Sequence, residues 1–205
     1  MERTGRPRDP TIDGAVLDAT ADVLSQVGYA RLTLEEVARR AGTTKPSIYR
    51  RWRSRPELVL AALARRLDVG AIRAPESGCV VCDLVAGVGV FVTAFQRVPP
   101  GVLGALFADC GGESALREEF MGALFEPVRR VVGEVVERAE ERGDLRDGLD
   151  REVVVDLLGS FVHYRALFGH ASMDASEVVV TLLRGMAADP TRFARRKHRH
   201  GLSLN

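Results

Sequence analysis

Two helix starts and one glycine turn fall within residues 33–52, T-L-E-E-V-A-R-R-A-G-T-T-K-P-S-I-Y-R-R-W, and this punctuation constrains the fold more than any other feature of the chain. Thr33, followed three positions later by Glu36, reads as a capping box, in which hydroxyl and carboxylate each satisfy an orphan N–H donor at a helix start. A helix is therefore predicted from Leu34, with Val37, Ala38 and Ala41 on its apolar face. Gly42 ends it, because a sharp interhelical turn requires a positive φ that glycine adopts without strain. Thr44 caps the next helix and Pro46 fits its first turn.

Ala38, Gly42 and Ile48 have the spacing of a helix-turn-helix: a small residue where the helices cross, the turn glycine and an aliphatic plug. At about 100° per residue, an inward Ile48 carries Trp52 into the core and turns Pro46 and Arg50 outward, with Ser47 and Tyr49 flanking them. Such a helix suits a DNA major groove, where Arg and Lys read guanine edges and hydroxyls reach phosphates. Residues 4–8, T-G-R-P-R, favour an extended arm whose Arg6 and Arg8 suit a minor groove. The candidate DNA contacts are Arg6, Arg8, Thr33, Thr43, Thr44, Lys45, Pro46, Ser47, Tyr49, Arg50, Arg51 and Arg55.

Beyond this motif, Gly28-Tyr29, Leu32-Thr33, the run Val37-Ala38-Arg39-Arg40-Ala41-Gly42, Tyr49-Arg50-Arg51-Trp52 and Pro56-Glu57-Leu58 follow in order. In sequence and spacing they resemble the signature of the tetracycline-repressor (TetR) family of bacterial transcription regulators. The resemblance covers about a third of the chain and implies a homodimer that binds duplex operator DNA and responds to a small-molecule effector. Arg55 stands where members usually carry lysine, a change that a phosphate contact tolerates.

Charge divides the chain in the same way. Residues 1–66 carry 13 Lys/Arg against 8 Asp/Glu, residues 67–190 carry 11 against 20, and residues 191–205 carry five against none, so the overall +1 hides a basic head on an acidic body. Such a division orients the head toward a polyanion. The chain shows neither an apolar run of membrane-spanning length nor a secretory signal, and a cytoplasmic protein without membrane association is expected. Three cysteines make no disulfide framework. Cys79 and Cys82 form a C-x-x-C that no second pair or His pair completes as a zinc site, so packing residues are expected there and no metal or cofactor.

Helical periodicity continues to the C-terminal region, so an all-α fold of about nine helices is predicted. Residues 1–54 form the arm and three-helix helix-turn-helix head, 55–72 a connecting helix, 73–189 a ligand-binding and dimerisation domain, and 190–205 a basic, solvated tail. Within the body, helices are expected over about 80–97, after Pro99-Pro100, over 114–142 interrupted or bent at Pro127, from Asp150 and from Asp174.

No catalytic constellation accompanies these helices, and an enzyme is not expected. Gly87-Val88-Gly89 lacks the third glycine of a dinucleotide loop, Ser114 has no nucleophile elbow around it, and His163 and His170 stand in no metal motif. The last two helices are apolar on more than one face, so one face needs a partner. The family resemblance implies a four-helix dimer interface there, for which Leu158, Phe161, Val162, Val179, Leu182, Leu183 and Met186 are the candidates. It also implies an effector pocket among the middle helices, with Phe91, Phe95, Leu103, Phe107, Phe120, Leu124, Phe125, Phe161 and Tyr164 as candidate lining. The expected function is a repressor released from a palindromic operator by that effector. The alternative is a helical small-molecule-binding or thiol redox-sensing protein with little operator specificity.

Overall fold

The structure, a computed structural model, describes residues 10–169 and 174–186. The helices are α1 (Pro10–Arg31), α2 (Leu34–Arg40), α3 (Lys45–Tyr49), α4 (Arg55–Leu67), α5 (Val80–Gln96), α6 (Val102–Cys110), α7 (Ser114–Phe120), α8 (Glu126–Glu141), α9 (Arg151–Phe168) and α10 (Ala175–Met186). A 3-10 turn (Val69–Ala71) follows α4, and a π-helical turn (Met121–Phe125) joins α7 to α8 without a break. With that run taken as one, the described residues hold nine α-helical segments, and the all-α prediction stands. The interruption or bend expected at Pro127 takes the form of the π turn directly upstream, and Pro127 is the second residue of α8. None of these helices is long and apolar enough to cross a membrane.

Two compact units form, one from the described residues of 1–71, 94–125 and 166–169, the other from those of 72–93, 126–165 and 170–205. Residues 94–125, placed with the body by sequence, group with the N-terminal helices. In this first unit α1 packs on α2, α4 and α6, and α6 packs on α4 and α7. Val16, Val23 and Leu24 form the buried stripe of α1, and Gly28, at φ 74°, breaks that helix one turn before its end. Helix α4 starts where predicted: Ser54 Oγ accepts a hydrogen bond from Glu57 N (3.3 Å), and Pro56 lies in the first turn. It stops short of Ile72, because Asp68 takes the left-handed conformation at φ 46°, which the short acidic side chain tolerates better than most. Phe120 lies fully buried between Phe107 and Phe125, each pair of ring centroids 5.3 Å apart in tilted or edge-on arrangement. A Cβ on Gly104 would come 2.9 Å from the Leu167 carbonyl oxygen, so this crossing admits no side chain without backbone movement.

The second unit is organised by α8, whose Val128, Val131, Val132, Val135, Val136 and Ala139 recur at helical spacing and are all buried. Leu84, Val88 and Phe91 of α5, Val154, Leu158 and Val162 of α9, and Val179 and Leu183 of α10 complete its core. On the surface, Arg151 binds Glu137 and Glu140, and Arg129 binds Glu152 and Asp156, tying α8 to α9. Arg130 and Arg138 donate to the carbonyls of Ile72 and Pro75 (both 2.7 Å), anchoring the segment that leads into α5.

Candidate nucleic-acid interface

Helices α2 and α3 are delimited by the groups that the sequence marked. Thr33 Oγ1 accepts from Glu36 N at 3.4 Å. The Glu36 carboxylate is taken up by Arg39 and Arg40, so the hydroxyl half of the expected capping box is made and the carboxylate half is not. These two guanidiniums pull the Glu36 carboxyl down to about 2. Gly42 is left-handed at φ 62°. Its N–H bonds Arg39 O (3.4 Å) and the N–H of Thr43 bonds Ala38 O (2.9 Å), the paired bonds of a Schellman ending. Thr44 then caps α3 through its hydroxyl to Ser47 N (3.4 Å), and Pro46 lies in the first turn. Val37 and Ile48 are buried beneath the turn as the plug.

The ridge of α3 faces outward as predicted: Pro46 and Arg50 are exposed and Tyr49 is half exposed. Trp52 is the exception. It is only half-buried: it lies three residues past Tyr49, the last residue of α3, and although its N–H still bonds Ile48 O at 3.0 Å, it does not follow Ile48 into the core. The threonines Thr33 and Thr44 present hydroxyls that already serve as caps, and Thr43 is half-buried in the turn. Arg6 and Arg8 lie outside the described residues.

The candidate cations differ in their freedom. Lys45 is paired with Glu35. Arg51 turns inward, binding Asp13 and donating to Ser47 O (3.0 Å) and Ser47 Oγ (2.9 Å). Arg55 lies over the Tyr29 ring, 4.5 Å from its centroid, and donates to Asp109 Oδ2 at 3.1 Å. Tyr29 Oη donates to the same oxygen at 2.7 Å. Burial first, then the Asp109 contact, raises the Tyr29 phenol above its ordinary range, while the hydrogen bonds from Tyr29 and Arg55 hold Asp109 below the usual carboxylate range. Arg50 is exposed and has no acidic partner among the described residues. Sequence reasoning missed Asp109, Asp13 and Glu35, since nothing in spacing says which distant carboxylate meets which cation.

The remaining candidates distribute as follows. Phe91, Phe95, Leu103, Phe120, Leu124 and Phe125 are at most 5% exposed, and Phe107 is half-buried. Phe91 belongs to one unit and Phe95 to Phe125 to the other. Phe161 and Tyr164 instead line an open groove of ≈ 660 Å³ on α9 and α10, with Leu157, Ser160, Glu177, Val178, Thr181 and Leu182. Of the interface candidates, Leu158, Val162, Val179 and Leu183 are at most 1% exposed within the chain itself. Phe161 and Leu182 face the groove, and the side chain of Met186 lies outside the described residues. No cluster of three or more His, Cys, Asp or Glu positioned for a metal occurs among the described residues.

Two family models match the chain. Residues 16–62 match the bacterial regulatory proteins of the tetR family, and residues 74–184 match the tetracyclin repressor-like C-terminal domain. An HTH-type transcriptional regulator of Bacillus subtilis, YdeS, is 28% identical over 92% of this chain and 96% of its own length. AqdR, an HTH-type regulator of Rhodococcus erythropolis, is 31% identical over 72% of this chain and 70% of its own. The DNA-binding transcriptional repressor TetR of Mycobacteroides abscessus is 27% identical over 86% of this chain and 96% of its own. Among solved structures, the TetR family transcription regulator SCO0332 superposes with a TM-score of 0.65 at 29% identity, covering 85% of this chain and 97% of that one.

Proposed function

The chain belongs to the TetR family of helix-turn-helix transcriptional regulators, and from that premise we propose that it is a cytoplasmic repressor, binding a near-palindromic operator as a homodimer and released by a small-molecule effector. The observation that carries this reading is the exposed ridge of a doubly capped α3, on which Arg50 has no acidic partner among the described residues. A free guanidinium there reads guanine edges in a bidentate fashion, while the hydroxyls of Ser47 and Tyr49 meet phosphates. Two copies related by a two-fold axis set their recognition helices roughly 34–36 Å apart, one turn of DNA. The open apolar groove of α9 and α10 supports the second copy as its occupant. The aromatic residues of the first unit support an apolar or amphipathic effector. By linkage, operator DNA weakens binding of that effector by the factor by which the effector weakens operator binding.

Selection of preferred duplexes from a random pool with the purified protein tests the operator. On the selected duplex, Arg50→Ala is expected to cost about 1–3 kcal/mol and to relax preference at one position of each half-site. Arg55→Ala, by contrast, weakens all duplexes alike and lowers the salt slope. Equal losses on selected and random DNA for Arg50→Ala would remove its base-reading role.

For Arg55 to reach a phosphate, it must exchange Asp109 for the backbone oxygen. Asp109→Asn is accordingly expected to raise affinity for random and selected duplexes together, and fluorescence anisotropy across a salt series measures the change. A fall in both affinities would mean that the carboxylate orients Arg55 for DNA and does not compete with it.

A further inference from the structure

The C-x-x-C that the regulatory function leaves unused brings its two sulfurs side by side. Cys79 is the residue immediately before α5, and Cys82 lies in the first turn of that helix. Cys79 Sγ accepts the backbone N–H of Cys82 at 3.4 Å, so it acts as the helix cap that the sequence offers no hydroxyl to fill. The thiol of Cys82 donates to Cys79 Sγ at 2.8 Å. Both side chains are half-buried and reachable, whereas Cys110 is fully buried. Asp83, the next residue, is 1% exposed; its Oδ1 accepts Ser77 N at 2.8 Å and its Oδ2 is buried without a hydrogen-bond partner.

Cys79 Sγ stands at the open N-terminal end of α5, facing the backbone N–H of Cys82. Burial and the hydrogen bond to Cys79 push the Cys82 thiol up to about 11, the neighbouring Asp83 charge adding in the same sense. The two sulfurs therefore divide the roles: Cys79 attacks and Cys82 resolves.

We propose that Cys79 and Cys82 form a thiol–disulfide exchange site that closes to an intramolecular disulfide when it meets a small-molecule disulfide RSSR. In the first step Cys79 thiolate attacks one sulfur of RSSR, an S–S bond forms to Cys79, and RS⁻ leaves and takes up the proton that Cys79 had lost. In the second, Cys82 sulfur attacks Cys79 sulfur, the Cys79–SR bond breaks, and the Cys82 proton leaves with the second RSH. The balance is two protein thiols and RSSR giving one protein disulfide and two RSH; the protein is oxidised and RSSR reduced. Such pairs in a reducing cytosol are reversible and redox-reporting. The site stands independently of the operator-binding reading.

Incubating the full-length protein with oxidised glutathione, followed by denaturation, alkylation and peptide mass spectrometry, tests this. The expected product is a single chain lighter by two hydrogens, with Cys79 and Cys82 both protected from alkylation, Cys110 alkylated, and full recovery on adding dithiothreitol. Cys82→Ser should stop at the first step and retain one glutathione on Cys79, while Cys79→Ser should lose reaction at Cys82. The proposal is overturned if the wild-type protein keeps both thiols alkylatable under these conditions, if it stops at a glutathione adduct, or if its disulfide links two chains. Those measurements on the wild type decide the matter even if a variant fails to fold.

Discussion

The Leu157→Asp variant is expected to sediment as a folded monomer at micromolar concentration, where the parent is expected to sediment as a dimer. Leu157 is 50% exposed in the single chain, so the carboxylate stays solvated there and the fold survives. In a two-fold interface built on the α9–α10 groove, the same carboxylate is buried without a partner. An uncompensated buried charge costs about 3–5 kcal/mol, and symmetry imposes that cost twice. Operator binding should fall with it, since two linked heads gain about 10²- to 10⁴-fold over one from effective concentration. Analytical ultracentrifugation with circular dichroism separates loss of assembly from loss of fold. A dimer that persists with Leu157→Asp would move the interface away from the groove.

Phe120→Ala is expected to lower unfolding stability by about 3–5 kcal/mol, as for other fully buried large-to-small aromatic changes. Phe120 has no exposed surface and stands between the rings of Phe107 and Phe125, so its removal leaves a cavity bounded by two aromatic groups that have lost their edge-on partner. Urea denaturation followed by circular dichroism measures the loss as a shift in midpoint at constant slope. Phe120→Leu should recover much of it, because the methyl groups refill part of the space. A change below about 1 kcal/mol for Phe120→Ala would mean that the neighbouring helices collapse onto the gap.

The sequence made the helix-turn-helix legible because its signals are local: a hydroxyl three residues from the N–H it caps at Thr33 and Thr44, and a glycine at the single turn that needs φ 62°. Legibility ends where phase must be carried past a helix terminus, as at Trp52, three residues after Tyr49, the last residue of α3. It ends again where a helix is apolar all round. Leu157 and Leu158 are equally hydrophobic neighbours, yet one is half exposed and the other is 1% exposed, and only packing against the rest of the second unit tells them apart. Pro127 marked the interruption of the helix, but periodicity does not tell that it takes the form of a π turn over Met121–Phe125. Partners far apart in the chain, such as Tyr29 and Arg55 with Asp109, have no sequence signature at all.

The pairing of head cations with internal carboxylates changes how this protein trades ions with DNA. Lys45, Arg51 and Arg55 each face an acidic residue before any duplex arrives. When a phosphate replaces that residue, the displaced carboxylate recruits a sodium or potassium ion of its own, and this uptake cancels part of the cation release from the DNA. The apparent stoichiometry of ion exchange, read from the slope of log affinity against log salt at about 0.9 per phosphate, should therefore fall short of the number of phosphates touched. If these cations meet phosphates as proposed, formal charge over residues 1–66 overstates the electrolyte sensitivity of the complex, and affinity for DNA is expected to persist across a wider range of potassium concentration than the arginine content suggests.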